Sequence, residues 1–440
     1  MKLFDFIILV VVILSILIVG YYSGKKEKTS KEFLLAGKNI NKIQAGFSMA
    51  ATDFGGSGLV AAIGYCYIIG MSGIWWNLAA VPAFLLVGLM LAKKFNKMNS
   101  STVPEYLGKR YSPVVKYLAT IMHVLTNIAS LSVQYTVACA TLYAISDINM
   151  TLSLIICVLL VVILTSGGLR TVINTDSLLF VVIVCSVLIA VPVMLHVSGG
   201  FSTIRESLPG SFFQIDRLGF WTPFSWILLC LLNYSTNQNY IQRIVASKNE
   251  GTARFGALFT AGFYLIISIS IGIIGICAHI ALPGISNTNT VFPQILRTFF
   301  PAGLVGLGVA GVFAATISTA TSILHSTTTL IINDLWIPLQ QKVLSESKKL
   351  MISKIIIIVI ALFSTLISIF NTNIINVLYV SGLFYSVSVF LPMLLGMHDR
   401  SITASAALIS IIGTVIISLL WEYVLKYSLP VLEQIPSNLI

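Results

Sequence analysis

Charge is what this 440-residue chain has least of. Asp, Glu, Lys and Arg make up 9% of it, where soluble globular domains carry about 25%. With 57% hydrophobic residues and a mean hydropathy of +0.96, that deficit excludes a soluble globular protein and leaves a polytopic membrane protein. The short alternating strands of a transmembrane barrel are missing as well. The apolar runs are continuous and about 20 residues long, the length of membrane helices. The six cysteines, Cys66, Cys139, Cys157, Cys185, Cys230 and Cys277, form no CxxC pair, and no histidine pair sits at ligand spacing. That absence speaks against a metal centre and reads the cysteines as small core residues. No small-residue cleavage site follows the first apolar run, and lysines do, so it reads as an uncleaved helix rather than a signal peptide. No loop is long enough for a soluble domain and there is no low-complexity linker. Residues 1–440 read as a single membrane domain.

What is present is a succession of helical spans, over residues 3–23, 43–70, 74–92, 115–145, 150–167, 178–198, 222–241, 256–282, 303–332, 352–370, 373–396 and 403–424. This predicts an all-α membrane protein of 12 transmembrane helices. Starting with the N-terminus outside and crossing once per span puts 21 of the 26 basic residues in inside loops, Arg243 among them. Lys2, Arg205, Arg217, Arg297 and Lys426 remain outside. The split satisfies the positive-inside rule. It accounts for the net charge of +11 as topology with weak attraction to anionic lipid, and leaves no reason to invoke nucleic acid. The expected setting is the cell membrane, with both termini outside and VLEQIPSNLI as the tail.

Two blocks of five helices share a pattern. Residues 43–198 form one and 222–396 the other, flanked by an extra N-terminal helix and cytoplasmic loop over 1–42 and an extra C-terminal helix and tail over 397–440. Each block opens with an interrupted helix, at TDFGGSG (52–58) and at NYSTNQNY (233–240). Five is odd, so the second block enters from the opposite side. That is the inverted-repeat logic of secondary transporters, whose broken helices mark a midplane site.

Asp53 is the one charged residue between Lys42 and Lys93. A mid-membrane acid costs about 2.5–3.5 kcal/mol on insertion scales and is a functional-site candidate by default. Gly55, Gly56 and Gly58 follow it and weaken the helix there. Downstream, the span 303–332 carries Thr316, Ser318, Thr319, Thr321, Ser322 and Ser326. At 3.6 residues per turn, Ala315, Ser318, Thr319 and Ser322 share a face, and Thr321 lies further round. Hydroxyl and carbonyl oxygens are hard ligands suited to an alkali cation. The plainer reading is that each hydroxyl bonds back to its own helix.

Six stretches in order carry a resemblance: KEFLLAGKNI (31–40), AATDFGGSG (50–58), STVPEYLGKRY (101–111), TSGGLRTVINTD (165–176), NQNYIQRIVASKNEGTARFGAL (237–258) and GVAGVFAATISTATSILHSTTTLIINDL (308–335). Together they resemble the sodium:solute symporter family of sodium-coupled sugar, proline, pantothenate, sialate and monocarboxylate carriers. The resemblance implies the five-plus-five inverted-repeat core shared with neurotransmitter:sodium symporters. It also implies Na+ as coupling ion, no organic cofactor and no enzyme activity. The main sodium site it implies takes backbone carbonyls of Ala51, Phe54 and Ala315 with hydroxyls of Ser318 and Thr319, and Asp53 adjacent. A second sodium would use Asp176, Thr321 and Ser322, although Asp176 equally suits the cap of a helix starting near Ser177. Asp53 has two open roles, beside the cation or as acceptor for amides freed by the break.

The solute is expected between the breaks, lined by Ser57, Gly58, Tyr234, Asn237 and Gln238, with Asn77 and Gln134 as further candidates. Asn77 is no acid, unlike the tentatively aligned galactose-binding glutamate of a sugar carrier. Span 115–145 has no arginine of the kind that holds a sialate carboxylate. A neutral or zwitterionic, amino-acid-like solute fits better, by sodium-coupled uptake with alternating access. A proton-coupled carrier and a non-transporting solute sensor are the alternatives. His123, His196, His279 and His325 read as polar packing residues.

Overall fold

The structure is a computed structural model and describes residues 2–25, 27–146, 149–340, 344–370, 382–399 and 401–425. The expected tail over 431–440 and the start of the expected span 373–396 lie outside the described residues. Among those described, seven helices are long and apolar enough to cross a membrane, and three shorter apolar helices accompany them.

Helix α1 is Leu3–Gly24. Helix α2, Lys42–Asp53, starts at a capping box. Asn41 accepts the Gln44 amide, and Gln44 reaches back to the Asn41 amide. It stops at Phe54, whose φ/ψ of −79°/68° is an inverse γ-turn, closed by Gly55 N–H donating to Asp53 C=O at 2.8 Å. Helix resumes with a π turn over Ser57–Ala61 and continues as α3, Ala62–Ile69. Gly70, at φ +75°, opens a 3-10 turn that separates α3 from the helical turns of residues 75–96.

Helices α4 (Pro113–Ser146), α5 (Met150–Thr165) and α6 (Leu169–Val197) complete the first half. α6 starts nine residues before the expected 178. Asp176 is therefore two turns inside the helix and caps nothing. The second half opens with α7 (Trp221–Thr236) and α8 (Gln238–Ala246), split at Asn237, whose extended backbone (φ −73°, ψ 128°) and side chain cap the start of α8. Helices α9 (Glu250–Ala281), α10 (Leu304–Leu330), α11 (Glu346–Phe370), α12 (Ser388–Gly396) and α13 (Ala404–Leu420) follow.

The centre of the molecule is α10. Within its most apolar window 89% of residues are buried, against 22% for α1 and 28% for α11, which places those two at the periphery. α10 packs along α4 and α6, while α2 packs between α6 and α9. A helix buried all round needs its first amides satisfied by protein. Here Asp5 of α1 does it, accepting from Gly303 N–H (2.6 Å) and Gly306 N–H (3.0 Å). At the other end of the bundle a short parallel bridge joins Ile40 to Ser247, tying the segment before α2 to the end of α8.

Candidate functional site

The break in α2 makes the site possible. Because Gly55 N–H turns to Asp53 C=O, it does not close the usual helical bond to Ala51 C=O four residues back. A helix end of this kind leaves carbonyls without intrahelical partners. Gly55 and Gly56 also admit α10 to the break. A Cβ on Gly55 would meet Thr319 Oγ1 at 2.7 Å and Gln134 Oε1 at 2.8 Å, and one on Gly56 would meet Thr316 Cγ2 at 2.7 Å. The face of α10 predicted to carry ligand hydroxyls is the face laid against the break.

The hydroxyls divide into two sets. Thr316, Thr321, Thr327, Thr328 and Thr329 bond back to their own helix, as the plainer reading expects. Thr319 Oγ1 donates to Ala315 C=O at 3.0 Å. Ser318 and Ser322 look outward. Ser318 Oγ donates to Asp176 Oδ1 at 2.5 Å, and Ser322 Oγ lies 2.9 Å from Thr52 Oγ1. A hydroxyl that has given its proton away still has lone pairs for a cation, so Ser318 and Thr319 keep that capacity.

Asp176 is paired with a residue that sequence reasoning placed in a loop. Arg243 is 1% exposed within α8, and its Nη2 lies 2.9 Å from Asp176 Oδ2. Arg243 Nε donates to Ser48 Oγ at 2.8 Å, Nη1 to Asn239 C=O at 2.6 Å and Nη2 also to Ser322 Oγ at 2.5 Å. Ser48 Oγ donates to Asp176 Oδ2 at 2.6 Å. The carboxylate expected to serve a second sodium thus already faces a guanidinium, and Thr321 does not join the cluster.

Asp53 ends α2, and its Oδ1 accepts a short hydrogen bond from the Tyr240 hydroxyl of α8. The two broken helices meet there. It does not anchor the freed amides, one of its two expected roles. That work falls to Gln134, whose Oε1 accepts Gly56 N–H at 3.0 Å. Asn77 acts similarly on the other side, donating Nδ2–H to Gly58 C=O at 2.8 Å.

Between the breaks lies a cavity of about 180 Å³, lined among others by Asp53, Ser57, Gly58, Asn77, Gln134, Tyr234, Asn237 and Thr319. This is smaller than the roughly 300–1,000 Å³ typical of drug-sized ligand pockets. Gln238 is the exception to the predicted lining. Its amide turns away to donate to Ser101 C=O at 2.8 Å. Residues that the sequence reading did not single out, Trp76, Trp226, Asn233, Tyr240 and Tyr264, line the cavity too. The aromatic share of the NYSTNQNY stretch was the one available signal for Tyr240. The buried histidines pack as expected: His123 stacks on Tyr385, with ring centroids 3.8 Å apart, and His325 is 3.0 Å from Phe33 C=O.

A model of the sodium:solute symporter family matches residues 33–413. The chain belongs to that family. It is a membrane transporter that couples solute movement to sodium, not an enzyme. The chain is 24% identical to the sodium/sialic acid symporter SiaT of Proteus mirabilis, over 80% of this chain and 75% of that protein. It is 25% identical to the human sodium-coupled monocarboxylate transporter 2, over 70% of this chain and 54% of that longer protein. Among solved structures, a substrate-bound outward-open sodium-coupled sialic acid symporter superposes with a TM-score of 0.87 at 22% identity, covering 96% of this chain and 92% of that one. At that identity the likeness speaks for the fold.

Proposed function

We propose that this symporter takes up a small neutral or zwitterionic solute with a single sodium ion, held by the carbonyls of Ala51, Phe54 and Ala315 and the hydroxyls of Ser318 and Thr319. The observation that carries the reading is the contact of Thr319 with the Gly55 turn, where Ala51 C=O has lost its helical partner. A hard cation there replaces the missing amide donor and stabilises the broken helix. The Asp176–Arg243 pair supports one ion rather than two, since the second carboxylate is already neutralised.

In this reading the chain makes twelve crossings, ten of them in a five-plus-five inverted repeat, and sodium favours the state open to the outside. Solute then bridges the two breaks and closure follows. The driving force is adequate. One sodium moving inward gains ~2.3 kcal/mol per 100 mV, and a tenfold gradient adds ~1.4 kcal/mol. Their sum, ~3.7 kcal/mol, supports roughly 500-fold accumulation of a neutral solute.

The test is thermal stability of the purified full-length chain. Sodium is expected to raise the melting temperature and potassium at equal ionic strength is not, since a ligand bound only to the folded state adds ~2.7 kcal/mol at 100 times its Kd. The Ser318→Ala/Thr319→Ala variant should lose the sodium response. An equal response to potassium, or an unchanged response in the variant, overturns the site.

A further inference from the structure

The cavity between the breaks has one acid and, among its described lining residues, no Lys, Arg or His. Most of its polar groups are already engaged. Gln134 Oε1 holds Gly56 N–H, and Asn77 Nδ2 holds Gly58 C=O. Asn233 Oδ1 takes both Asn237 Nδ2–H (3.1 Å) and Ser386 Oγ–H (3.0 Å). Arg243, the nearest guanidinium in sequence to Tyr240, is committed to Asp176. Asp53 is different. Its Oδ1 is taken by Tyr240 and the hydroxyls of Tyr264 and Tyr234 also act on the carboxylate, but its buried Oδ2 has no partner in good hydrogen-bond geometry.

An unpaired carboxylate oxygen in a membrane interior is costly unless a cation or donor meets it. Its surroundings suit one kind of cation. Tyr234 and Tyr240 stand edge to face, with centroids 4.8 Å apart at 74°. Tyr264, in line with Phe84, adds a third phenol to the cavity wall. Phenol side chains around a carboxylate that no Lys, Arg or His of the described lining balances suit the diffuse positive charge of an organic ammonium.

We propose that the transported solute carries an ammonium group and that Asp53 Oδ2, walled by Tyr234, Tyr240 and Tyr264, is its binding partner. This rests on the reading of the cavity as the solute site, and assigns Asp53 to solute selection rather than to the coupling ion. Within the solute class proposed above the ammonium belongs to a zwitterion, and the pure cation choline serves as a probe of the same contact.

The experiment measures melting temperature of the full-length chain in saturating sodium. The ammonium probes are ethanolamine, choline and glycine betaine. The controls are 3,3-dimethyl-1-butanol (choline with carbon in place of the charged nitrogen), myo-inositol and N-acetylneuraminate. At least one ammonium probe is expected to stabilise the chain, and choline above its carbon isostere if the site accepts a pure cation. Glycine betaine alone would identify a zwitterion site. Asp53→Asn should weaken the responding probe by roughly tenfold or more, the loss of about 1.4 kcal/mol expected when a desolvated charge pair loses one member, while keeping the sodium-only shift. No response to any ammonium probe, or an equal response to the isostere or the anion, overturns the proposal. So does an Asp53→Asn variant that loses its sodium shift. The wild-type comparison of choline with its isostere needs no variant to fold. A sodium shift retained in wild type while every ammonium probe fails would sink this inference and leave the sodium site standing.

Discussion

At the scale of single residues, the Asp176–Arg243 pair has the largest energetic consequence. Both side chains are essentially inaccessible, at 0% and 1%, and four hydroxyls (Ser48, Thr52, Ser318 and Ser322) and a carbonyl complete their shell. Removing one member leaves the other buried and uncompensated, which costs about 3–5 kcal/mol, whereas replacing both with neutral groups is far milder. Arg243→Ala should therefore lower the melting temperature sharply, and Asp176→Asn/Arg243→Gln should recover part of the loss. A single variant as stable as wild type would contradict the pairing. The pair was invisible in the sequence because Arg243 sits six residues after the break at Asn237, where a positive charge reads as a loop residue on the inside face. Only the continuation of α8 to Ala246 carries it back into the protein. Asp176 misled for a related reason. The turn at Gly168, with φ +84°, starts its helix earlier than hydropathy marks, because residues 169–177 are polar enough to look like a loop.

At the scale of elements, the broken helices were legible and their fastening was not. Glycines at 55, 56 and 58 and the polar run at 233–240 announced the breaks, since neither composition serves a continuous membrane helix. What holds the breaks open depends on distant side chains, Gln134 for Gly56 and Asn77 for Gly58. Periodicity within one segment cannot reveal partners 78 and 19 residues away. The same limit hid the cap of α10. Asp5, near the chain start, closes the N-terminus of the central helix. Asp5→Ala should destabilise the protein by about 1 kcal/mol or more, the usual cost of losing a cap. Asp5→Asn keeps an acceptor and should lose less. Melting curves of the two variants check this, and equal stability of all three proteins would contradict the cap.

At the scale of the whole molecule, the two breaks converge on one cavity, with α10 laid along the first of them. The hydroxyl periodicity of α10 anticipated this, because a helix buried on all sides must present its polar groups to protein. Tyr240, bonding to Asp53, shows why the cavity needs both halves of the chain: the acid comes from one break and its phenol partner from the other. Alternating access follows if the halves rock about this junction while sodium fixes the first break. The central claim is that a single sodium ion binds where α10 meets the Gly55 turn. Equilibrium binding of radiolabelled sodium to the purified full-length chain measures it without knowledge of the solute. The account predicts saturable binding near one ion per chain, displaced by unlabelled sodium but not by potassium, and lost in Ser318→Ala/Thr319→Ala. Saturable sodium binding that survives in that variant would contradict it.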